Sequence, residues 1–547
     1  MIRAQTAVDA GEQRRETESG RPSVRDAVFE VLRRLGMTTI FGNPGSTEIP
    51  FLRGLPEDIR FVLALHEGSV VGIATGWAIA RDEPALVNLH TAPGLGNAIN
   101  AIANARDLRA PLVVLVGQQD RRQLAFEPFL SGRALERLAG DYPVWSSVPA
   151  RAQDLPGAIA RAYHEADAHR GPALVVAPMG DWDEPADEHA AGAPERTVRA
   201  AAVDPDALDD LAEMVRLSDS PAIVVGRGTG RRCWEPLVAL AERIQSPVWQ
   251  ESFACAAGFP QDHPLFAGHL PWRRSLMRQT LAEHDLVLAV GTGAFRLYLY
   301  DDPGPMVADG TRVAVITDDP GEAHRSPCAL AVVGPVGQAC AALAAQLAQR
   351  ERGARPALRR PEPPRPPGAG EPLTPAHVLA ELAARMPRDA VLVEETPSSQ
   401  PELYRRVPIV SPGGFVACAN GGLGFGVAGS IGLRMADPRR PVIGIVGDGS
   451  SMYAIQALWS AAHYEVGVLL VVMANGRYAV MDQLAQAAGA PPAWPAFGSI
   501  DIAGIARCLG CPAVEVKTHA QLVRTFDEVL PELADRRTPL VVEVELA

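Results

Sequence analysis

The amino-acid sequence predicts an α/β protein made of three doubly wound parallel-sheet domains. Short β-branched runs alternate with longer amphipathic stretches along almost the whole chain, and such alternation means parallel strands covered by helices on both faces. At 547 residues the chain is also too long to close around one hydrophobic core. Its composition shifts sharply in two places, which leaves three sheet-forming blocks.

The elements follow in order. Residues 1–22, MIRAQTAVDAGEQRRETESGRP, are polar, lack the apolar stretch of a signal peptide and read as a disordered tail. Residues 23–185 form the first block, with the strand-like runs ALVNLH, PLVVLVGQ and PALVVAP. A polar, Ala/Pro-rich segment without strand pattern follows at 184–210. The central block, 200–350, carries PAIVVGRG, LVLAVGTG and RVAVITDD. Residues 353–372 are a proline-dense linker expected to be extended and solvated. The last block, 373–547, carries AVLVEET, PVIGIVGDG, GVLLVVMANG and LVVEVEL.

Charge and composition narrow the function classes. A net charge of −13 argues against a nucleic-acid or anionic-membrane partner, because those surfaces need clustered Lys and Arg. No apolar run is long enough to span a bilayer. The seven cysteines are scattered and odd in number, which fits a reducing cytoplasm. Cys508 and Cys511 form a CxxC with no second pair nearby, so a structural role is expected rather than a zinc or redox site.

The most informative stretch runs from Gly447 to Gly476, GDGSSMYAIQALWSAAHYEVGVLLVVMANG. Asp448 follows the strand PVIGIV and Asn475 follows VLLVVMA, so both emerge at the carboxyl edge of one sheet, where ligands of such folds bind. Gly447 and Gly449 let backbone approach a ligand, and SSMYAIQALWSAAHY is expected to start a helix whose N-terminal amides favour phosphate. A carboxylate, an amide oxygen and a backbone carbonyl are hard donors suited to Mg2+.

GDG followed by an asparagine turn resembles the thiamin diphosphate signature of the 2-oxo acid decarboxylase and acetolactate synthase superfamily, with the benzoylformate decarboxylases as its nearest branch. FGNPGSTEIPFL (41–52), LALHEGSVVGIATGWA (63–78), VNLHTAPGLGNA (87–98) and CANGGLGFGVAGSIG (418–432) match family blocks in the same order. The resemblance implies a pyrimidine-binding first domain, a central domain and a diphosphate-binding last domain. It implies that Asp448, Asn475 and the carbonyl of Arg477 hold Mg2+, which bridges to the diphosphate, and that Gly447, Gly449, Ser450, Ser398 and Tyr478 line the cofactor. Glu67 matches the glutamate that serves the cofactor's aminopyrimidine. Leu423 matches the bulky residue that wedges beneath the cofactor and bends it. Glu67 and Asp448 come from different subunits in this family, so a homodimer or homotetramer is implied. The central block shows no flavin fingerprint.

The same resemblance names the substrate side. Ser46 matches a substrate-carboxylate contact, His90 a proton-transfer histidine, and Leu130, Tyr298, Ala417, Val480 and Leu484 the pocket lining. Three departures bear on the substrate. Tyr298 falls where benzoylformate decarboxylases have a second histidine, Ala417 and Leu484 replace two phenylalanines, and Pro397 stands where a threonine is expected. The reading is a thiamin diphosphate- and Mg2+-dependent enzyme that decarboxylates a 2-oxo acid other than benzoylformate to an aldehyde. Two alternatives stand beside it: a carboligase or acyloin lyase using an aldehyde acceptor, and a catalytically silent regulatory subunit of the same fold.

Overall fold

The computed structural model describes residues 21–187, 194, 197–198, 202–351, 358–368 and 370–547. The expected disordered tail lies, up to residue 20, outside the described residues. The chain divides into two compact units, Met1–Thr197 and Val198–Ala547. The first carries one six-stranded sheet and the second carries two, and all the strand pairs are parallel.

The first sheet contains β1 (Thr39–Asn43), β2 (Arg60–Leu63), β3 (Ala85–Leu89), β4 (Leu112–Gln118), β5 (Trp145–Ser147) and β6 (Pro172–Pro178), in the order β2-β1-β3-β4-β6-β5. The second contains β7 (Pro221–Val225), β8 (Val248–Gln250), β9 (Phe266–His269), β10 (Leu286–Val290), β11 (Arg312–Thr317) and β12 (Leu330–Val333), in the order β12-β11-β10-β7-β8-β9. The third contains β13 (Val391–Glu395), β14 (Phe415–Ala417), β15 (Val442–Gly447), β16 (Leu469–Ala474), β17 (Ala513–Val516) and β18 (Leu540–Glu545), in the order β14-β13-β15-β16-β18-β17. Central strands such as β4 and β6 are buried at every residue, as expected for sheets covered on both faces.

These orders fix where ligands can enter. The strand order of each sheet reverses near its centre, between β1 and β3, between β7 and β10, and between β13 and β15. The crevice beyond the carboxyl ends at such a reversal is the binding position of open α/β sheets. In the second sheet that crevice is filled by its own loops: the Gly228 N–H donates to the Gly291 carbonyl at 2.7 Å. A Cβ on Gly291 would lie 2.6 Å from the Gly228 backbone, at φ +63. Only glycine permits that closure.

One local expectation changes and two gain detail. SSMYAIQALWSAAHY does not form one helix; a short helix at Asp448–Ser451 is followed by turns and a second helix at Ala457–His463. The Ser451 hydroxyl donates to the Asp448 carbonyl at 2.7 Å, and i→i+3 bonds at Tyr453 and Ala454 replace the helical ladder, the competition typical of serine. The polar segment 184–210 ends in helix, because Asp204 caps Pro205–Arg216 through the Asp206 N–H. The described linker residues lack helix and strand but are pinned: Arg360 donates to the carbonyls of Gln261 and Arg405, and His377 Nε2 to that of Arg365. In the CxxC, buried Cys511 donates to the Leu458 carbonyl at 3.1 Å, with its thiol pushed up to about 12 by burial. Cys508 is exposed, and neither forms a disulfide.

Candidate active site

In the first unit, the loops after β1 and β3 flank the reversal point, and the sequence-assigned Ser46, Glu67 and His90 lie on the segments that follow β1, β2 and β3. Glu67 opens the helix Glu67–Arg81, entered through His66, whose Nδ1 accepts the Gly68 N–H at 3.0 Å. The Glu67 carboxyl is buried and held from two sides. Asn43 donates to Oε1 at 3.2 Å and Asn97 to Oε2 at 3.0 Å. Amide donors fix its direction without supplying a counter-charge.

His90 begins the helix Thr91–Asp107. Its Nδ1 lies 3.0 Å from Glu48 Oε2 and 2.9 Å from Thr47 Oγ1. Glu48 is buried, and it also accepts the Gly45 N–H at 2.8 Å and the Thr47 hydroxyl at 2.5 Å. An ionised carboxylate only accepts, so Nδ1 carries the proton and Nε2 is left for other partners. Gly117 makes room for Glu48, since a Cβ there would lie 1.8 Å from Oε1. Thr91, directly after His90, takes φ +33, and its buried hydroxyl has no partner among the described residues. A β-branched residue held in that region is strained, and such strain clusters at functional sites. Ser46 is exposed on the turn between Gly45 and Thr47. Leu130 stands half-buried at φ +62 on the loop after β4, outside the Glu48–His90 hydrogen bonds.

In the second unit one cleft of about 1670 Å³ runs along the carboxyl ends of β13, β15 and β16 and faces the second sheet. Every residue that the sequence assigns in this unit, from Tyr298 to Leu484, lines it. Asp448 is buried and accepts the Gly449 N–H at 2.8 Å and the Gly476 N–H at 2.6 Å, which ties the loop after β15 to the one after β16. Burial pushes its carboxyl above the usual range, against those backbone donors. Asn475 Oδ1 accepts the Arg477 N–H at 3.2 Å, and Ser398 Oγ accepts the Val480 N–H at 3.2 Å. Leu423 is half-buried between Gly421 and Gly424, at φ +77 and +109. A Cβ on Gly449 would meet the Tyr478 ring at 2.6 Å.

The facing wall is aromatic. Tyr298 packs edge-on against Phe253 at 5.5 Å and Trp272 at 5.7 Å, so rings from the second sheet line a cleft whose other side carries Ala417 and Leu484. Arg296 bridges the two walls, donating to the carbonyls of Phe253 and Ala419.

The donor set fits a metal–diphosphate group. Asp448 has no arginine or lysine partner among the described residues, so a buried carboxylate stands beside an amide oxygen and backbone carbonyls without a cation. Hard oxygens of that kind suit Mg2+ that also takes phosphate oxygens. Glu67, gripped by amides alone, is likewise free to accept from a ring nitrogen.

Sequence reasoning assigns no role to Glu48, Thr47, Asn43 or Asn97, or to the buried Glu394 and Glu395 that line the cleft at the end of β13. Glu48 lies inside the matched block FGNPGSTEIPFL, but an acid just before Ile-Pro reads as a helix-start charge. Two adjacent acids ending the apolar run AVLVEE were a usable signal, because in a strand covered on both faces they point to opposite, buried sides.

Reversal-point crevices lined by these acids and amides define a thiamin diphosphate-type enzyme. Thiamine pyrophosphate enzyme family models match in three parts: the N-terminal TPP binding domain at residues 22–136, the central domain at 208–343 and the C-terminal TPP binding domain at 398–544. The chain belongs to this family. Among particular proteins, it is 39% identical to a benzoylformate decarboxylase of Pseudomonas aeruginosa, over 95% of this chain and 98% of the relative. The thiamine diphosphate-dependent 4-hydroxybenzoylformate decarboxylase of Rhodococcus jostii RHA1 superposes with a TM-score of 0.90 at 36% identity, over 96% of this chain and 99% of that one. A glyoxylate carboligase of Escherichia coli O157:H7 is 24% identical over 95% of this chain and 92% of its own. The protein is therefore an enzyme of a family that includes decarboxylases and carboligases. No helix among the described residues is long and apolar enough to cross a membrane.

Proposed function

We propose that the enzyme decarboxylates a 2-oxo acid to an aldehyde without net oxidation, with thiamin diphosphate held through Mg2+. One observation carries the reading: Asp448, Asn475, Ser398 and Leu423 line a single cleft at the point where the third sheet reverses. When bound, the cofactor supplies an electron sink for the bond electrons released with CO2.

The chain's residues do the rest. Asp448, the Asn475 amide oxygen and the Arg477 carbonyl would hold the metal, while Gly447, Gly449, Ser450 and Tyr478, which line the same cleft, would border the diphosphate. Leu423, which lines the cleft, would support the cofactor rings. Glu67, oriented by Asn43 and Asn97, would share a proton with the pyrimidine nitrogen. His90, with Nδ1 engaged by Glu48, presents Nε2 for proton transfer, and Ser46 meets the substrate carboxylate. The subunits form a homodimer or homotetramer in which Glu67 of one copy serves the cleft of another. Ala417, Val480 and Leu484 line the cleft with aliphatic surface, which favours a longer or aliphatic 2-oxo side chain over benzoylformate.

Carboligation is the second reading, supported by the carboligase among the relatives and by a cleft of about 1670 Å³, which leaves room for an aldehyde acceptor. The test is a panel of 2-oxo acids with thiamin diphosphate and Mg2+, with and without aldehydes, read by CO2 release and product mass. Aldehyde and CO2 in equal amounts support decarboxylation, and hydroxyketones support carboligation. Turnover of no 2-oxo acid under either condition would sink both.

A further inference from the structure

Glu394 and Glu395 are neighbours at the carboxyl end of β13, both buried, and both line the cleft. Successive residues of a strand face opposite sides of the sheet. Here they grip different loops. Glu394 accepts the Thr396 N–H at 2.7 Å and the Gln400 side-chain amide at 3.0 Å, which closes the turn that carries Ser398. Glu395 accepts three consecutive backbone donors, Gly424 N–H at 2.9 Å, Phe425 N–H at 2.7 Å and Gly426 N–H at 2.7 Å. They directly follow Leu423 and lead into the buried helix Gly426–Ala436, whose first residue is Gly426 and whose N-cap is Phe425.

The features agree with a fixed bracket. Free amides at a helix start need acceptors, and a carboxylate there also meets the positive end of the helix. Bonds from backbone N–H to a carboxylate are about twice as strong as neutral ones, and at Glu395 they offset part of the burial that favours the protonated acid. Gly426 keeps the helix close to the strand, since a Cβ there would lie 2.8 Å from the Glu395 Cβ and 2.7 Å from a Val446 methyl. No arginine or lysine among the described residues pairs with either acid, so their acceptor capacity is directed at the two loops.

We propose that Glu394 and Glu395 are paired positioning residues: Glu394 sets the Ser398 turn and Glu395 sets the Leu423 segment, so that one strand end holds both against the same bound molecule. The proposal rests on the reading that Ser398 and Leu423 face the cofactor. Neither acid touches reacting atoms; both act through the loops they hold.

The experiment uses full-length Glu394→Gln and Glu395→Gln, with Glu395→Asp as the conservative variant. Amide hydrogen exchange on cofactor-free protein reads the bracket without turnover. Glu395→Gln is expected to lose protection in 420–428 alone, Glu394→Gln in 396–400 alone, and Glu395→Asp is expected to recover part of it. Calorimetry with thiamin diphosphate and Mg2+ should then show affinity lowered at least tenfold in each Gln variant, with KM for the 2-oxo acid unchanged. Unchanged protection, or faster exchange spread across the whole third sheet, overturns the positioning role. So does local loss of protection with wild-type cofactor affinity. Wild-type protein that binds no thiamin diphosphate would overturn the underlying reading instead, and the exchange data would distinguish that case.

Discussion

Glu48 Oε2 takes both the Gly45 N–H at 2.8 Å and His90 Nδ1 at 3.0 Å, so one buried carboxylate fixes the turn before it and the imidazole across the reversal point. Glu48→Gln replaces one acceptor oxygen by a donor, so Gly45, Thr47 and His90 compete for the one that remains and the imidazole is held less firmly. Turnover is expected to fall by about 10²-fold, the scale of a misplaced reactive group, while cofactor affinity measured by calorimetry stays at the wild-type value. Loss of cofactor binding instead would make Glu48 part of the cofactor site.

Asp448→Ala should abolish Mg2+-dependent thiamin diphosphate binding, since an anionic diphosphate beside buried acids needs its bridging cation. The variant also removes a carboxyl whose ionisation burial opposes. It also removes the acceptor of the Gly449 and Gly476 N–H groups, so the readout is not the cofactor-free Tm but the rise in Tm that ligand gives the wild type, which is lost. An equal rise in both proteins contradicts the metal assignment.

Glu67→Gln keeps the size of the side chain, but sets an amide against the donors Asn43 and Asn97. Cofactor should bind nearly normally while exchange of its C2 proton, followed by NMR, slows by about 10² or more, as for a lost acid–base contribution. Exchange at the wild-type rate removes Glu67 from the chemistry.

Leu484→Phe is the cleaner probe of the substrate pocket. Leu484 is half-buried on the helix Ala479–Ala487, whereas Ala417 is buried in a packed strand where a ring would strain the core. The added ring should raise kcat/KM for benzoylformate relative to aliphatic 2-oxo acids, by about tenfold for each 1.4 kcal/mol of restored contact. Wild-type enzyme that already prefers benzoylformate refutes the pocket assignment.

Burial pushes the Glu395 carboxyl up from 4.5 to about 7, against its three backbone donors. The folded protein thus binds that proton more tightly than the unfolded chain. The contribution is fully present below about pH 4.5 and is lost as pH rises through about 7, a change of about 3 kcal/mol. Urea unfolding across this range should show the stability difference between wild type and Glu395→Gln shrinking as pH rises. A difference independent of pH would show that the carboxyl does not titrate there.

Much of the fold was legible in the sequence, and so was the placing of Asp448 and Asn475 at strand ends that border one cleft. Alternation of β-branched runs with amphipathic stretches is a local property, and burial on both faces makes it visible without contacts, so the three sheets follow from it. Asp448 and Asn475 were legible because the glycines beside them mark strand-end turns. The helix after Asp448 was not, because its break depends on which acceptor the Ser451 hydroxyl chooses.

By itself the sequence determined the fold class and the family, and it named the residues proposed to carry the chemistry, since each of these rests on local pattern or on short motifs in order. Only the tertiary structure decided which side chains support them. Glu48 meets His90 at a sequence separation of 42, Asn97 meets Glu67 at 30, and Glu395 meets the Gly424–Gly426 amides at 29 to 31. Tyr298 joins Phe253 and Trp272 only when the loops of the second sheet converge. A hydrogen bond depends on separations of tenths of an ångström between groups that chain spacing leaves unconstrained, and packing of the sheets supplies that constraint.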